Sequence, residues 1–176
     1  MKKIFTTMIF FILGVLVFGE KFEKPVLLTS VGQSADVQMV SVLLKKAGIE
    51  ATLDKSITAD NLGEDKTIII AIGGSSKGLG AAGIKVEDEL ARAEELLKAA
   101  KDSGVKIVGL HVGGEQRRGE LSDKFVNATV GECDYLIVVE DGNKDQLFTK
   151  VSEEKGIPLI LVPKISGAVE PLKEIF

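Results

Sequence analysis

Thr67-Ile-Ile-Ile-Ala-Ile72, running into Gly73-Gly-Ser-Ser-Lys77, is the stretch that decides the fold. The run is apolar without alternation, so both of its faces must be covered. A central strand of a parallel sheet has that need, because crossover helices lie on both sides of it. Upstream, Val26-Leu-Leu-Thr-Ser-Val31 reads as a first strand. Residues 34–47 follow as a helix, with Val37, Val40, Leu43, Leu44 and Ala47 on one face and Gly48 as its stop. Ile49 to Leu53 is a short second strand, and residues 58–62 form a helical turn.

Downstream, Val86, Leu90, Ala93, Leu97 and Ala100 step by threes and fours, with charged residues on the opposite face and Gly104 as a cap. Lys106 to His111 is a fourth strand. A helix over 122–131, with Ser122 as N-cap, leads to a fifth strand, Tyr135 to Val139. A helix over 144–155 leads to a sixth strand, Pro158 to Val162. Residues 167–175 form a last helix capped by Ser166. Strict alternation of strands and helices implies parallel strands joined by right-handed crossovers. The expected fold is α/β: a three-layer sandwich with a doubly wound parallel sheet of five to six strands, flavodoxin-like or Rossmann-like. The expected order is 2-1-3-4-5 with the sixth strand at the edge, and there is no second domain.

The chain has 176 residues, and its start differs in kind from the rest. Lys2 and Lys3 precede an apolar run, Ile4 to Phe18, and small residues at Val17 and Gly19 suit cleavage before Glu20. This is the pattern of a secretory signal peptide over 1–19, and a run of about 15 residues is short for a membrane span. The expected product is one α/β domain over 20–176, exported to the periplasm or beyond, with no stable membrane anchor after cleavage. Loss of Lys2 and Lys3 takes the formal net charge from −4 to −6. An acidic surface argues against nucleic acid as a partner. Export removes the chain from ATP and NAD, and no cofactor is expected. Cys133 is the one cysteine, so no internal disulfide forms; it reads as a buried, inert thiol.

In doubly wound sheets, ligands bind beyond the carboxyl ends of the strands, where the strand order reverses. Here that point lies between strands one and three. The loops there are Thr29-Ser-Val-Gly-Gln-Ser-Ala-Asp36 and Gly73-Gly-Ser-Ser-Lys-Gly-Leu-Gly-Ala-Ala-Gly83. Amides and hydroxyls at a helix start suit a carboxylate or phosphate, and Lys77 adds a charge. The glycines of the second loop read as a mobile flap. They include a literal G-x-G-x-x-G (Gly78, Gly80, Gly83), but it sits after the third strand and lacks the acid expected about 20 residues on. Gln33, Ser34, Asp36, Ser75, Ser76 and Lys77 are therefore expected to line one cleft. His111, the single histidine, and Arg117 and Arg118 from the fourth strand end would form its wall.

Acid–base or nucleophilic chemistry would fall to His111, alone or with Ser75 and Asp36 or Asp141, although no G-x-S-x-G elbow is present. His111, Glu115 and Asp141 lack fixed metal-ligand spacing, and no metal is expected. Pro25-Val-Leu-Leu-Thr-Ser-Val-Gly-Gln-Ser-Ala-Asp-Val37 and Ser75-Ser-Lys-Gly-Leu-Gly-Ala-Ala-Gly-Ile84 resemble an uncharacterised family of exported bacterial α/β domains of unknown function. The resemblance spans nearly all of the mature chain. It implies that the two loops belong together and implies no substrate. The expected function is binding of a small polar or anionic molecule, passed on to a transporter or sensor. The alternatives are a hydrolase or transferase using His111, and a structural or interaction module without a ligand.

Overall fold

Apolar strands that need cover on two faces assemble here into one sheet between two helical layers. The structure is a computed structural model that describes residues 21–176; the expected signal peptide over 1–19 lies outside the described residues. The strands are β1 (Val26–Val31), β2 (Thr52–Leu53), β3 (Thr67–Ile72), β4 (Lys106–His111), β5 (Tyr135–Val139) and β6 (Leu159–Val162). All pair in parallel in the order β2-β1-β3-β4-β5-β6. The sheet order is the one expected, with the reversal between β1 and β3. Every residue of β1 and β3 is buried, as strands roofed on both sides must be.

Alternate residues along each strand feed two cores. Ile68, Ile70, Ile72, Ile107, Leu136 and Val138 pack beneath α3 (Val86–Asp102), α4 (Glu120–Thr129) and α5 (Leu147–Lys155). Leu28, Ile69, Ala71, Val108, Leu110 and Ile137 pack beneath α1 (Asp36–Ala47) and α6 (Val169–Ile175). Each fully buried aliphatic side chain contributes on the order of 1.5–3 kcal/mol. Cys133 belongs to the first core, and burial pushes its thiol up from the usual range. Among the described residues, no helix is long and apolar enough to cross a membrane.

Local differences from the sequence reading have physical causes. The glycine-rich run after β3 is a helix, α2 (Ser76–Ala82), and not a flap. Ser75 caps it by accepting a bond from the Gly78 amide at 3.1 Å, and Leu79 buries its apolar face in the first core. Ser122 lies inside the first turn of α4, whose N-cap position is Gly119. Its hydroxyl accepts from the Gly74 amide at 2.9 Å and donates to the Arg117 carbonyl at 2.5 Å, so it joins segments instead of capping. The second strand shrinks to Thr52–Leu53, and α5 starts at Leu147 after a 3-10 turn over Glu140–Asn143.

Candidate functional site

The parallel order places the carboxyl ends of β1 and β3 side by side, and their loops touch. Gly73 N donates to Val31 O at 3.0 Å, and Ser75 N donates to Gly32 O at 2.9 Å. Gln33 and Gly74 form an isolated antiparallel bridge beyond the strand ends. This close approach needs glycine: a Cβ at Gly32, whose φ is +95°, would lie 2.8 Å from the Gly74 Cα. Gln33 itself has φ +55°, a left-handed conformation that a side-chain-bearing residue adopts at some cost.

Arg117 crosses this junction from the loop after β4. Its Nε and Nη2 donate to the two carboxylate oxygens of Asp36 at 2.9 and 3.3 Å, and Nη1 donates to the Gly74 carbonyl at 3.3 Å. The side chain lies over Gly73, where a Cβ would come 2.9 Å from Arg117 Cδ. Thus one guanidinium links the start of α1, the β3 loop and the β4 loop. Ser34 is buried, and its hydroxyl accepts from the Asp36 amide at 3.2 Å. Ser76 and Lys77 stand exposed on the first turn of α2, and Ser75 is partly buried beneath them.

A second network, unanticipated from the sequence, lies under the junction. Glu89 of α3 is fully buried. Its carboxylate accepts from the Gly32 amide at 3.0 Å, from Gln33 Nε2 at 3.1 Å and from Arg92 at 2.8 Å. Arg92 also donates to the Ser30 and Ile57 carbonyls, each at 2.7 Å. A carboxylate out of water survives only when paired and fully bonded, and Glu89 is both. The network fixes Gln33 and therefore the first loop. Gln33 thus faces inward to Glu89 and the Lys55 carbonyl, away from the expected cleft lining. The sequence does carry a signal here: Glu89 falls three residues after Val86 and four before Ala93, on the apolar stripe.

His111 and Arg118 belong to the far side of the wall. His111 is fully buried. Its Nδ1 faces the Ile72 carbonyl at 3.1 Å, and its Nε2 faces the Gly114 carbonyl at 3.3 Å. The ring packs on Phe148 with centroids 4.9 Å apart. Burial lowers its pKa from 6.5; the two carbonyls oppose this, Arg118 adds to it and Asp36 opposes it weakly. Arg118 donates to Asp123, Asp145 and the Gly142 carbonyl, and its guanidinium lies 5.6 Å from the Phe148 centroid. The hydrogen bond from Arg118 holds Asp145 down at about 2. Arg118 is thus engaged in joining the β4 and β5 loops.

The structure therefore brings Asp36, Ser75, Ser76, Lys77 and Arg117 to one junction. It turns Gln33 and Ser34 into its supports and sets His111 and Arg118 behind it. Ser75 Oγ accepts from the Gly78 amide and both ring nitrogens of His111 face backbone carbonyls, so the two side chains are not joined as a nucleophile–base pair. Gly78, Gly80 and Gly83 lie in α2 and at its end, where their amides serve the helix. Among the described residues no group of three or more His, Cys, Asp or Glu could hold a metal ion. Glu115 is paired with Lys144. Two shallow grooves lie elsewhere. One of about 450 Å³ runs from Ser41 to Ala51 at the other end of α1, and one of about 370 Å³ lies between α3 and α4.

The solved structures similar to this chain include three hydrolases by their descriptions. A lipolytic protein of the G-D-S-L family from Desulfitobacterium hafniense is 13% identical, with a TM-score of 0.37, covering 77% of this chain and 75% of its own. The psychrotrophic esterase EstA from Pseudoalteromonas sp. is 12% identical, with a TM-score of 0.34, covering 85% and 92%. A GDSL-like lipase from Bacteroides thetaiotaomicron is 11% identical, with a TM-score of 0.35, covering 77% and 66%. No curated protein sequence matches the chain. A family described as a domain of unknown function, DUF6305, matches residues 23–176, and the chain belongs to that family.

Proposed function

We propose that this domain is an exported binder of a small polar or anionic molecule, held where the β1 and β3 loops meet. The observation that carries the reading is the junction itself. Two loops in direct hydrogen-bond contact bring the start of a capped helix and an exposed lysine to the reversal point of the sheet, and the loop after β4 lays an arginine guanidinium across them. Cations and backbone amides gathered at such a point favour a negative group. Ser76 would offer its hydroxyl, Lys77 a mobile charge and Arg117 its guanidinium. The strained backbone at Gln33, pinned by Glu89, fits a preformed binding loop.

Binding is favoured over acid–base chemistry because both ring nitrogens of His111 face backbone carbonyls. A general acid or base must reach the proton it moves. Export follows from the pattern of the first 19 residues, and a transporter or sensor would be the receiving partner. One preparation tests both parts. Protein purified from its native host should begin at Glu20 and should release a small acidic molecule detectable by mass spectrometry. A product beginning at Met1 would refute export. Repeated release of nothing would favour a structural or interaction module.

A further inference from the structure

The two members of the Asp36–Arg117 pair are held very differently. Arg117 has anchors of its own. Its Nη1 bonds the Gly74 carbonyl, its backbone carbonyl accepts from Ser122, and its stem lies across Gly73. Those contacts remain if Asp36 leaves. Among the described residues, the Asp36 carboxylate, in contrast, accepts hydrogen bonds from Nε and Nη2 of Arg117 alone. It sits at the first position of α1, whose N-cap makes no side-chain bond. A released Asp36 carboxylate would stay in the favourable field of that helix end.

We propose that Arg117 is the carboxylate receptor of this site and that Asp36 is its built-in occupant, displaced when a small carboxylate binds. This rests on the anion-binding reading above and narrows it to one ligand class. The guanidinium already presents a two-donor edge, at 2.9 and 3.3 Å, to the two oxygens of one planar group. Such an edge matches a carboxylate in shape as well as charge. The wall beside it is Gly113, where an added Cβ would come 2.6 Å from Asp36 Oδ2 and 2.5 Å from Arg117 Cβ. The group now on the edge has two oxygens in one plane, so a ligand carboxylate can take over both of its hydrogen bonds, and its preference over phosphate comes from matching that occupant. The pair is reachable, since the side chains of Arg117 and Asp36 are 26% and 13% exposed.

Ligand and Asp36 compete for one fork, so the apparent affinity is the intrinsic affinity reduced by the fraction of molecules in which Asp36 is released. Removing the internal anion removes that reduction. The device makes the site selective as well. A neutral ligand cannot displace Asp36, because it would leave Arg117 without a counter-charge in a partly desolvated place.

The test is calorimetric titration of the full mature chain with acetate and, separately, with inorganic phosphate. Wild type, Asp36→Asn and Arg117→Lys are compared. Acetate should bind Asp36→Asn at least tenfold more tightly than wild type, phosphate should gain much less, and Arg117→Lys should lose acetate binding. If Asp36→Asn binds acetate no better while wild type still binds anions, the displacement model is wrong and the general anion reading survives. If phosphate gains as much as acetate, the carboxylate assignment is wrong. If neither anion binds any form, the anion reading itself fails. Should Asp36→Asn not fold, wild type labelled with 13C at aspartate side chains decides the matter. Saturating acetate should shift the Asp36 carboxyl resonance, and an unmoved resonance overturns the proposal.

Discussion

Replacing Gly78 by alanine should destabilise the domain, and the same change two residues on, at Gly80, should stabilise it. Both glycines lie in α2, where glycine is about 0.8–1.0 kcal/mol worse than alanine. Propensity alone therefore gives both changes the same favourable sign. The surroundings differ. A Cβ at Gly80 meets nothing within 4 Å. A Cβ at Gly78 overlaps the Gln33 carbonyl oxygen and comes 2.9 Å from its carbon and 3.3 Å from the Ser75 Cβ. The loop cannot step back cheaply. Gln33 is tied to Glu89, to the Lys55 carbonyl and to Gly74, and Gly32 O holds the Ser75 amide at 2.9 Å. Overpacking of this kind costs about 1–3 kcal/mol, and each strained hydrogen bond adds roughly 0.5–1.5 kcal/mol. After the propensity gain, Gly78→Ala should lose about 2 kcal/mol, and Gly80→Ala should gain about 0.5–1 kcal/mol. Urea unfolding of the two variants beside wild type measures the difference. Equal effects at both positions would refute the close contact between the β1 and β3 loops.

Three further outcomes follow from the same geometry. Lys77→Ala should weaken anion binding by about 1–3 kcal/mol, the range for one charged hydrogen bond, with unfolding unchanged; calorimetric titration reads this. Glu89→Ala should cost about 3–5 kcal/mol, because it strands Arg92, which is only 11% exposed, together with the Gly32 amide; urea unfolding checks it. His111 is held below its ordinary 6.5 in the folded protein, chiefly by burial, so the unfolded chain binds the extra proton first. Its contribution to stability is therefore complete above pH 6.5 and is lost as pH falls from there toward the folded value. Unfolding from pH 7.5 down to 5 should show this step and His111→Gln should lack it; a folded-state NMR titration of this single histidine at or above 6.5 would contradict it.

The sheet was legible because its strands carry uninterrupted apolar runs, and Ile68–Ile72 admits hardly any arrangement except a covered central strand. The meeting of the β1 and β3 loops then follows from topology. α2 was not legible. Gly78, Gly80 and Gly83 oppose a helix by propensity, and what overrides them is the Ser75 cap and the burial of Leu79. The charged residues were legible as a group but not in their pairing. Arg117 meets Asp36 across 81 positions of sequence, and no local pattern announces such a bond. His111 looked like a polar strand end, yet the 3-10 turn over Gly114–Arg117 and Phe148 of α5 bury it. Glu89 could have been found, since a carboxylate on the apolar stripe of α3 needs a buried partner.

On the proposed reading, an anion sits at the junction of the β1 and β3 loops. Chemical-shift mapping of backbone amides during an acetate titration tests it most directly. An anion bound there should give the largest, saturable shifts in residues 32–36, 73–78 and 113–118. Shifts centred instead on the groove from Ser41 to Ala51, or no saturable shift at all, would contradict it.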